Sequence, residues 1–192
     1  LGCVLMLIGA ASKAGALPFH TWIPDAAVDS NAPFMSFVPA ALDKLLGIYF
    51  LTRISVYLFS LNCFAQLGLM TLGAVTLLVA VMMTFAQTDY KRLLAYHAVS
   101  QAGCMILGIG TLNPIGIAGG LFHMVNSAIC ISCLFMAAGA VERQTGSNDL
   151  SKLGGLFGSM PVTALCYLIA AAAISGIAPL NGFFSLGMIY AG

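Results

Sequence analysis

Residues 1–18, LGCVLMLIGAASKAGALP, combine an apolar run with a charged residue and a helix-breaking proline. Lys13 follows the apolar run Leu1–Ala11 and stands just before Ala16-Leu17-Pro18. An ammonium group inside a membrane helix is costly unless it pairs with another group or lines a water-filled path. The stretch therefore predicts an interrupted membrane helix in which Lys13 is a candidate for moving ions, with static pairing or snorkelling as the alternative.

The composition of the whole chain agrees with a membrane location. Of its 192 residues, 60% are hydrophobic and only 7% are charged, whereas a soluble domain contains about 25% charged residues. We therefore predict an all-α integral membrane protein, a polytopic helix bundle. The net charge of +1 leaves no basic stripe to neutralise phosphates, so nucleic acid is excluded as a partner.

Several apolar segments approach the length of about 20 residues that a helix needs to cross a bilayer. The first begins at Leu1 and is broken near Pro18, and a last piece beginning at Gly182 stops inside an apolar run at Gly192. Because the chain also lacks an initiator Met, we expect an internal fragment of a longer polytopic protein. The predicted segments are 1–27, 33–59, 65–86, 91–110, 115–141 and 160–178.

The loops between these segments predict an orientation. If each segment crosses once, the loops at 28–32, 87–92 and 142–159 lie on one side of the membrane, and the loops at 60–64 and 111–114, which have no charged residue, lie on the other. Lys and Arg mark the cytoplasmic side. We therefore expect loops 87–92 and 142–159 on the cytoplasmic side of a prokaryotic membrane, or its organellar equivalent. Their basic residues are Lys91, Arg92, Arg143 and Lys152.

Two interruptions of the apolar segments resemble each other. Lys13-Ala-Gly-Ala-Leu-Pro18 and Ser175-Gly-Ile-Ala-Pro-Leu-Asn-Gly182 both place Gly and Pro inside a membrane-length run. Backbone groups freed by a broken helix are tolerated in a membrane only inside protein or along a wet cavity. A pair of interrupted helices indicates a transport path in inverted-repeat transporters, although a proline kink without function is the alternative.

Four further residues within the predicted helices are candidates for ion transfer. Asp43 and Lys44 are adjacent and about 100° apart on a helix, so each needs a partner elsewhere. Asp43 is therefore a candidate counter-charge to a lysine on a neighbouring helix, and a static ion pair is the alternative. His97 and His123 lie inside membrane segments, where imidazole can relay protons or be a satisfied core residue.

Other polar and reactive residues favour structural roles. His20, beside Trp22, is expected near the membrane interface, where amphipathic rings are favoured. Cys130 and Cys133 have C-x-x-C spacing but lie mid-helix with no basic residue near them, so we expect buried packing rather than redox chemistry. The sequence has no phosphate loop, zinc ligand set or flavin, iron–sulfur or nicotinamide site.

Four motifs, in order, resemble those of the antiporter-like membrane subunits. This family includes the proton-translocating subunits of respiratory complex I, of formate-hydrogenlyase-type and energy-converting membrane hydrogenases, and of multisubunit sodium/proton antiporters. The resemblance extends over essentially the whole chain, and the wording DKLLGIY is nearest to the hydrogenase-related branch. The motifs are Lys13–Ala26, Asp43–Arg53, Gln87–Gln101 and Ser175–Ser185.

The resemblance implies two inverted repeats of five helices, each with one broken helix. Residues 1–59 would form the end of the first repeat and residues 65–192 most of the second. Lys13 falls on the family's lysine of the first broken helix, whose glutamate partner belongs to an upstream helix. Lys44 is close to the lysine of the following helix but is shifted by one residue.

Three positions depart from the family pattern. His123 matches a family histidine, but the histidine four residues later is Ser127 here and the lysine eight residues later is Ile131. The lysine that follows Gly-Phe-Phe-Ser in the second broken helix is Leu186 here. The resemblance therefore implies an intact input side of the proton relay and an output side without its lysines.

The resulting expectation is a proton-translocating membrane subunit of a redox-driven complex, resembling NADH:quinone oxidoreductase or a membrane-bound hydrogenase. Lys13, Lys44 and His123 would carry protons, with Asp43 and His97 assisting. The resemblance implies other membrane subunits as partners, with iron–sulfur clusters and flavin or a Ni–Fe centre on them and no cofactor in this chain. A gradient-driven sodium/proton antiporter subunit and a structural, non-pumping subunit are the alternatives.

Overall fold

The computed structural model describes residues 2–59 and 62–192. Over these residues the regular elements are helices, with a 3₁₀ turn at Leu150–Lys152 and one isolated β-bridge. The predicted start at Leu1 and positions 60 and 61 of the predicted loop lie outside the described residues. The helices are α1 (Gly2–Ala14), α2 (Trp22–Asp29), α3 (Ala32–Leu58), α4 (Cys63–Phe85), α5 (Tyr90–Gly110), α6 (Pro114–Thr145), α7 (Leu156–Ser159), α8 (Pro161–Ile174) and α9 (Asn181–Ala191).

Helices α3, α4, α5 and α6 are long and apolar enough to cross a membrane. The all-helical membrane fold predicted from composition is thereby confirmed. Helices α1 and α8 are shorter apolar helices, because a break ends each of them. The predicted segment 160–178 was too long, since α8 ends at Ile174. The predicted segment 115–141 was too short, because α6 stays helical to Thr145 and ends at Gly146, whose φ is +69°.

The two breaks have the same backbone geometry. Gly15 and Gly176 both have φ of +76°, a left-handed conformation that glycine adopts without a Cβ penalty. A cis peptide bond precedes both Pro18 and Pro179. The residue after each glycine donates its N–H to the carbonyl five residues earlier, Ala16 to Ala11 at 2.9 Å and Ile177 to Ala172 at 3.2 Å.

Helix α3 contains two π-helical turns, Val38–Leu42 and Ile54–Leu58. The first contains Pro39, which has no N–H to donate. Asp43 and Lys44 follow this turn directly. Single π turns within α-helices are frequent at functional sites. This turn determines the directions in which the Asp43 and Lys44 side chains project from α3.

Glycines allow α4 and α5 to pack closely. A Cβ on Gly73 would lie 2.6 Å from the Leu107 nitrogen, and a Cβ on Gly103 would lie 2.6 Å from the Leu77 nitrogen. Small residues at such crossings let membrane helices approach each other without a hydrophobic driving force. The close crossing fixes α5, which carries His97 and Gln101, against the rest of the bundle.

Ion pairs join the helix ends near loops 87–92 and 142–159. The Lys91 Nζ lies 2.7 Å from the Glu142 Oε2 and donates to the Ser30 carbonyl at 3.3 Å. Arg92 pairs with Asp25 at 3.0 Å. These contacts tie the start of α5 to the ends of α2 and α6.

The loop after α6 pairs with the start of α5. The Tyr90 N–H donates to the Asn148 carbonyl at 2.9 Å, beside the β-bridge between Asp89 and Asp149. The hydroxyl and N–H of Ser151, which donate to Asp149, hold the pKa of that carboxyl below its ordinary value.

Candidate functional site

Lys13 and Asp43 form an ion pair between α1 and α3. The Lys13 side chain is 52% exposed, whereas that of Asp43 is 12% exposed. Gly47 makes this approach of the two helices tight, since a Cβ there would lie 2.5 Å from the Ala14 nitrogen. The first break therefore begins at a lysine whose counter-charge is held on the neighbouring helix.

Lys44 is the most deeply buried charged residue of the site. Its side chain is 1% exposed, and within the described residues its Nζ has no hydrogen-bond partner. A buried ammonium without a partner is strongly disfavoured unless it is hydrated or loses its proton. Lys44 lies on the part of α3 that packs against α5 and α6, the helices that carry His97 and His123. Its surroundings favour a group that exchanges protons over a static charge.

His123 connects three helices. Its Nδ1 lies 3.0 Å from the Ser185 hydroxyl on α9, and its Nε2 lies 2.7 Å from the Gln101 Oε1 on α5. The side chain of His123 is 1% exposed. The imidazole on α6 therefore joins α5 to the helix that follows the second break.

The hydrogen-bond directions around His123 depend on its protonation. When neutral, it donates from Nε2 to the Gln101 oxygen and accepts the Ser185 hydroxyl proton at Nδ1. When protonated, it donates at both nitrogens, and the Ser185 hydroxyl turns toward the Gly182 carbonyl, 3.2 Å away. The cluster can therefore take up a proton by rotating one hydroxyl.

The second break has polar contacts but no charged side chain at its centre. Asn181, which begins α9, donates from Nδ2 to the Asn126 Oδ1 on α6 at 3.1 Å. The Asn126 Nδ2 donates to the Asn181 carbonyl at 3.3 Å. Ile174 stands where the first break has Lys13, counting from the left-handed glycine of each break. Amide pairing thus holds this break where an ion pair holds the first.

The three departures from the family pattern all lie within the fold. Ser127 donates to the Met124 carbonyl at 3.2 Å. Ile131 belongs to the apolar core with Leu134. Leu186 packs against Gly176, where an added Cβ would lie 2.9 Å from the Leu186 Cδ1. These positions provide packing and local hydrogen bonding, and none of the three can carry a charge.

His20 packs inside the helix bundle. Its position near the membrane interface stays a prediction, and the structure buries the residue to 6% exposure. Its ring lies 6.2 Å from the Tyr96 ring on α5, and its Nδ1 has no partner in the described part of the chain. The stretch between α1 and α2 folds back against α5, and the local sequence does not show this tertiary contact.

Two polar residues that contact the site were not singled out from the sequence. Gln101 was quoted only as the end of a motif, yet it is the partner of His123 on α5. Thr76 on α4 is fully buried and accepts the Leu17 N–H of the first break at 3.3 Å. The only sequence signal for these two residues was that each is a polar residue inside an apolar helix. That signal is weak, because only the fold shows which groups their side chains contact.

Cysteines and metal ligands do not form a second site in the described residues. Cys130 is buried, Cys133 is half-buried and both are unpaired thiols. No three His, Cys, Asp or Glu side chains come together as metal ligands in residues 2–59 and 62–192. The ionisable side chains of the candidate site are its lysines, its histidines and the Asp43 carboxylate.

Comparison with known proteins identifies the family. The family described as NADH:quinone oxidoreductase/Mrp antiporter, transmembrane, matches residues 1–191. The chain belongs to this family. Its members are antiporter-like membrane subunits of the Mrp, hydrogenase and complex I type. The resemblance stated from the sequence is confirmed.

Individual relatives come from both branches of the family. The chain is 34% identical to an Na(+)/H(+) antiporter subunit of Alkalihalophilus pseudofirmus over 95% of this chain and 37% of that protein. It is 31% identical to the formate hydrogenlyase subunit 3 of Escherichia coli over 97% of this chain and 32% of that protein. The chain thus spans about a third of the length of these two relatives.

A solved structure has the same fold. The Mrp complex from Dietzia sp. DQ12-45-1b matches with a TM-score of 0.90 and 34% identity, over 98% of this chain and 21% of the matched chain. This member of the NADH:quinone oxidoreductase/Mrp antiporter family therefore has an architecture already seen in a membrane complex. That architecture includes its broken helices and its long spans.

Proposed function

We propose that the protein is a proton-translocating membrane subunit of a redox-driven complex, resembling NADH:quinone oxidoreductase or a membrane-bound hydrogenase. The observation that carries the proposal is the buried, unpartnered ammonium of Lys44 next to the carboxylate that pairs with Lys13. Moving either lysine's proton changes the charge that the other experiences. One lysine held by a carboxylate and a second, buried lysine without a partner are suited to stepwise proton transfer.

The transfer would begin at Lys13 and Asp43. When the ion pair is closed, Asp43 stabilises a protonated Lys13. When it opens, Lys13 loses that stabilisation and can release its proton toward Lys44, which follows Asp43 in α3. His97 and His123, on the neighbouring helices α5 and α6, would pass the proton toward the second break.

The energies required are modest. Moving one charge against about 100 mV costs about 2.3 kcal/mol. A lysine pKa change of two units corresponds to about 2.7 kcal/mol. Opening or closing an ion pair whose carboxylate is mostly buried is on this scale, so a small movement of α1 against α3 can couple the lysines to an external driving reaction.

The electron transfer would take place on partner subunits. Those partners would hold the iron–sulfur clusters and flavin or a Ni–Fe centre, and this chain would hold no cofactor. Formate hydrogenlyase subunit 3 is a relative from a redox complex, which supports this setting. The loops at 87–92 and 142–159, where Lys91, Arg92, Arg143 and Lys152 lie, would face the cytoplasm of a prokaryotic cell.

A gradient-driven sodium/proton antiporter subunit is the second candidate. The 34% identity to the Na(+)/H(+) antiporter protein of Alkalihalophilus pseudofirmus favours it. A structural, non-pumping subunit is the third, and it is favoured by Ile131 and Leu186, which are apolar where the family has lysines. The three candidates differ in their partners and in whether Lys13 and Lys44 matter for transport.

Mass spectrometry of the full-length protein purified in mild detergent separates the first two candidates. Co-purification of iron–sulfur proteins with hydrogenase-like or NADH-oxidising subunits is the expected result. Recovery of small membrane subunits alone would overturn the redox setting and favour the antiporter. Charge-removing variants of Lys13 and Lys44 then test the structural candidate, under which transport would be unchanged.

A further inference from the structure

The N–H of Leu17, in the first break, is bound by a residue of another helix. The N–H groups of Gly15 and Ala16 donate to carbonyls of α1 itself, and Pro18 has no N–H to donate. The Leu17 N–H donates instead to the Thr76 hydroxyl oxygen on α4, at 3.3 Å and across 59 positions of sequence. Because backbone groups at membrane depth need an internal partner, this tertiary contact completes the hydrogen bonding of the break.

The environment of Thr76 makes its hydroxyl an acceptor for the break. The side chain is fully buried, and its hydroxyl donates its own proton to the Leu72 carbonyl within α4 at 2.7 Å. A hydroxyl has one proton to donate and two lone pairs that accept. Since the proton is used inside α4, the oxygen faces Leu17 as an acceptor.

Helix α4 is held in place close to Thr76. Gly73 lies three residues earlier on α4, where an added Cβ would lie 2.6 Å from the Leu107 nitrogen of α5. Residues three apart are neighbours on one helix face, so Thr76 lies about one turn from this close crossing. The hydroxyl that binds the break therefore belongs to the tightly packed α4–α5 pair, which carries His97 and Gln101.

Lys13 is connected to the anchored residue through the backbone of the break. The Ala16 N–H donates to the Ala11 carbonyl at 2.9 Å and closes a turn that contains Lys13. Leu17 is the next residue after this turn. A displacement of Leu17 is therefore passed to Lys13 and changes how its ammonium meets the Asp43 carboxylate.

The second break has the same backbone geometry without this anchor. Ala178 corresponds to Leu17, because it stands two residues after the left-handed Gly176 and directly before Pro179. Ala178 is exposed, and no group of the residues that the structure describes accepts its N–H. The contact with Thr76 is thus not a requirement of the broken-helix geometry, and it occurs at the break that carries the ion pair.

We infer that Thr76 is a positioning residue for proton transfer, whose hydroxyl attaches the first break to the α4–α5 pair and thereby sets the contact between Lys13 and Asp43. The inference rests on the proposed function, because it concerns the position of a lysine that is proposed to carry protons. Thr76 takes no part in the transfer itself and acts through the backbone of the break. The hydroxyl, rather than the bulk of the side chain, is the group that matters.

Substitutions of Thr76 in the full-length protein, within its native membrane complex, test the role of this hydroxyl. Thr76→Val replaces the hydroxyl with a methyl group, and Thr76→Ser keeps it. Thr84→Val is the matched control on α4, because the Thr84 hydroxyl also donates to a carbonyl four residues earlier, that of Ala80 at 2.8 Å. Hydrogen exchange at the Leu17 amide, resolved with overlapping peptides, measures the contact. Proton transport in inverted vesicles measures its consequence.

Thr76→Val should speed exchange at the Leu17 amide several-fold, because this N–H loses its acceptor. It should also slow transport about tenfold, while Thr76→Ser and Thr84→Val keep both properties. Equal exchange at Leu17 in Thr76→Val and Thr84→Val would overturn the anchor. Transport as slow in Thr76→Ser as in Thr76→Val would overturn the role of the hydroxyl.

A double variant tests whether Thr76 acts through the ion pair. If it does, Thr76→Val combined with Asp43→Asn should transport no more slowly than Asp43→Asn alone, because the pair is already lost. A further loss of about tenfold in the double variant would contradict the positioning role.

The same measurements separate this inference from the proposed function. Loss of transport in Lys13→Gln together with normal transport in Thr76→Val would overturn the positioning role and leave the proposed function supported. Normal transport in Lys13→Gln would overturn the proposed function and the positioning role with it. Faster exchange at Leu17 in Thr76→Val would still establish that the hydroxyl anchors the break.

Discussion

Lys13 on α1 and Asp43 on α3 form an ion pair across the start of the first broken helix. The partner of Lys13 within this chain is therefore an aspartate that precedes another lysine in sequence. Asp43 contacts the Lys13 ammonium directly, whereas the adjacent Lys44, about 100° away around the helix, has no hydrogen-bond partner in the described residues. Removal of the Asp43 charge is therefore expected to act directly on Lys13.

Asp43→Asn should reduce proton transport about tenfold, the effect of about 1.4 kcal/mol on the rate-limiting step. The amide keeps the shape of the side chain but removes the charge that stabilises Lys13. Transport is measured by fluorescence quenching in inverted membrane vesicles. Asp29→Asn, which removes an exposed carboxylate on α2, is the control and should leave transport unchanged. Equal rates for both variants would show that the pair is static.

Gln101→Ala should destabilise the protein by about 1–3 kcal/mol, because it leaves the buried His123 Nε2 without a partner. Gln87→Ala is the matched control, since the Gln87 side chain donates to the Met83 carbonyl of its own turn, at 3.1 Å. Thermal unfolding in detergent compares the two. A Gln101 variant as stable as the Gln87 variant would mean that the contact to His123 contributes nothing.

Glu142→Gln should destabilise the protein more than Lys91→Gln does. The first change leaves a lysine side chain of 3% exposure with only the Ser30 carbonyl, whereas the second leaves a carboxylate that is 35% exposed and can be hydrated. We expect Glu142→Gln to lower the free energy of unfolding by about 2–3 kcal/mol. Breaking a fully buried ion pair costs more, about 3–5 kcal/mol.

Lys152→Gln is the control for this comparison. Its pair with Asp149 spans 3.5 Å and the Lys152 side chain is 71% exposed, so its loss should change stability by less than about 1 kcal/mol. Denaturant titration of the detergent-solubilised protein measures all three variants. The reverse order of Glu142→Gln and Lys91→Gln would contradict the burial argument.

Gly103→Ala should push α4 and α5 apart and cost about 1–3 kcal/mol, as expected for overpacking. The added methyl would meet the Leu77 backbone nitrogen at 2.6 Å, and backbone cannot yield as a flexible side chain can. Gly68→Ala is the control on α4, where nothing lies within 4 Å of the added carbon. Similar unfolding midpoints for the two variants would contradict the close crossing.

The sequence predicted the membrane class and the long spans well, because composition and apolar length depend on local chemistry alone. It also identified both breaks, since Gly15 and Gly176 precede prolines at the same spacing. It did not predict that α8 ends at Ile174, because the residues of the break that follow are mostly as apolar as the helix itself. Boundaries of this kind depend on backbone conformation rather than on hydrophobicity.

The candidate site residues were named from the sequence one by one, but their arrangement in space was not predicted. Asp43 was a candidate counter-charge with no assigned lysine, and the structure sets it beside Lys13. Gln101 and His20 acquire their significance only from neighbours distant in sequence, His123 and Tyr96. Such pairings depend on helix packing, to which the amphipathic pattern of nearly uniform apolar helices gives little guidance.

Proton translocation by a Lys44→Met variant of the full-length protein, assembled in its complex and measured in inverted vesicles, tests the central claim most directly. Methionine keeps the length and apolar packing of the side chain but cannot bind a proton. We predict at least a tenfold loss of translocation with normal assembly, while Lys152→Met retains it. Unchanged translocation in Lys44→Met would contradict the claim that the buried lysine carries the proton.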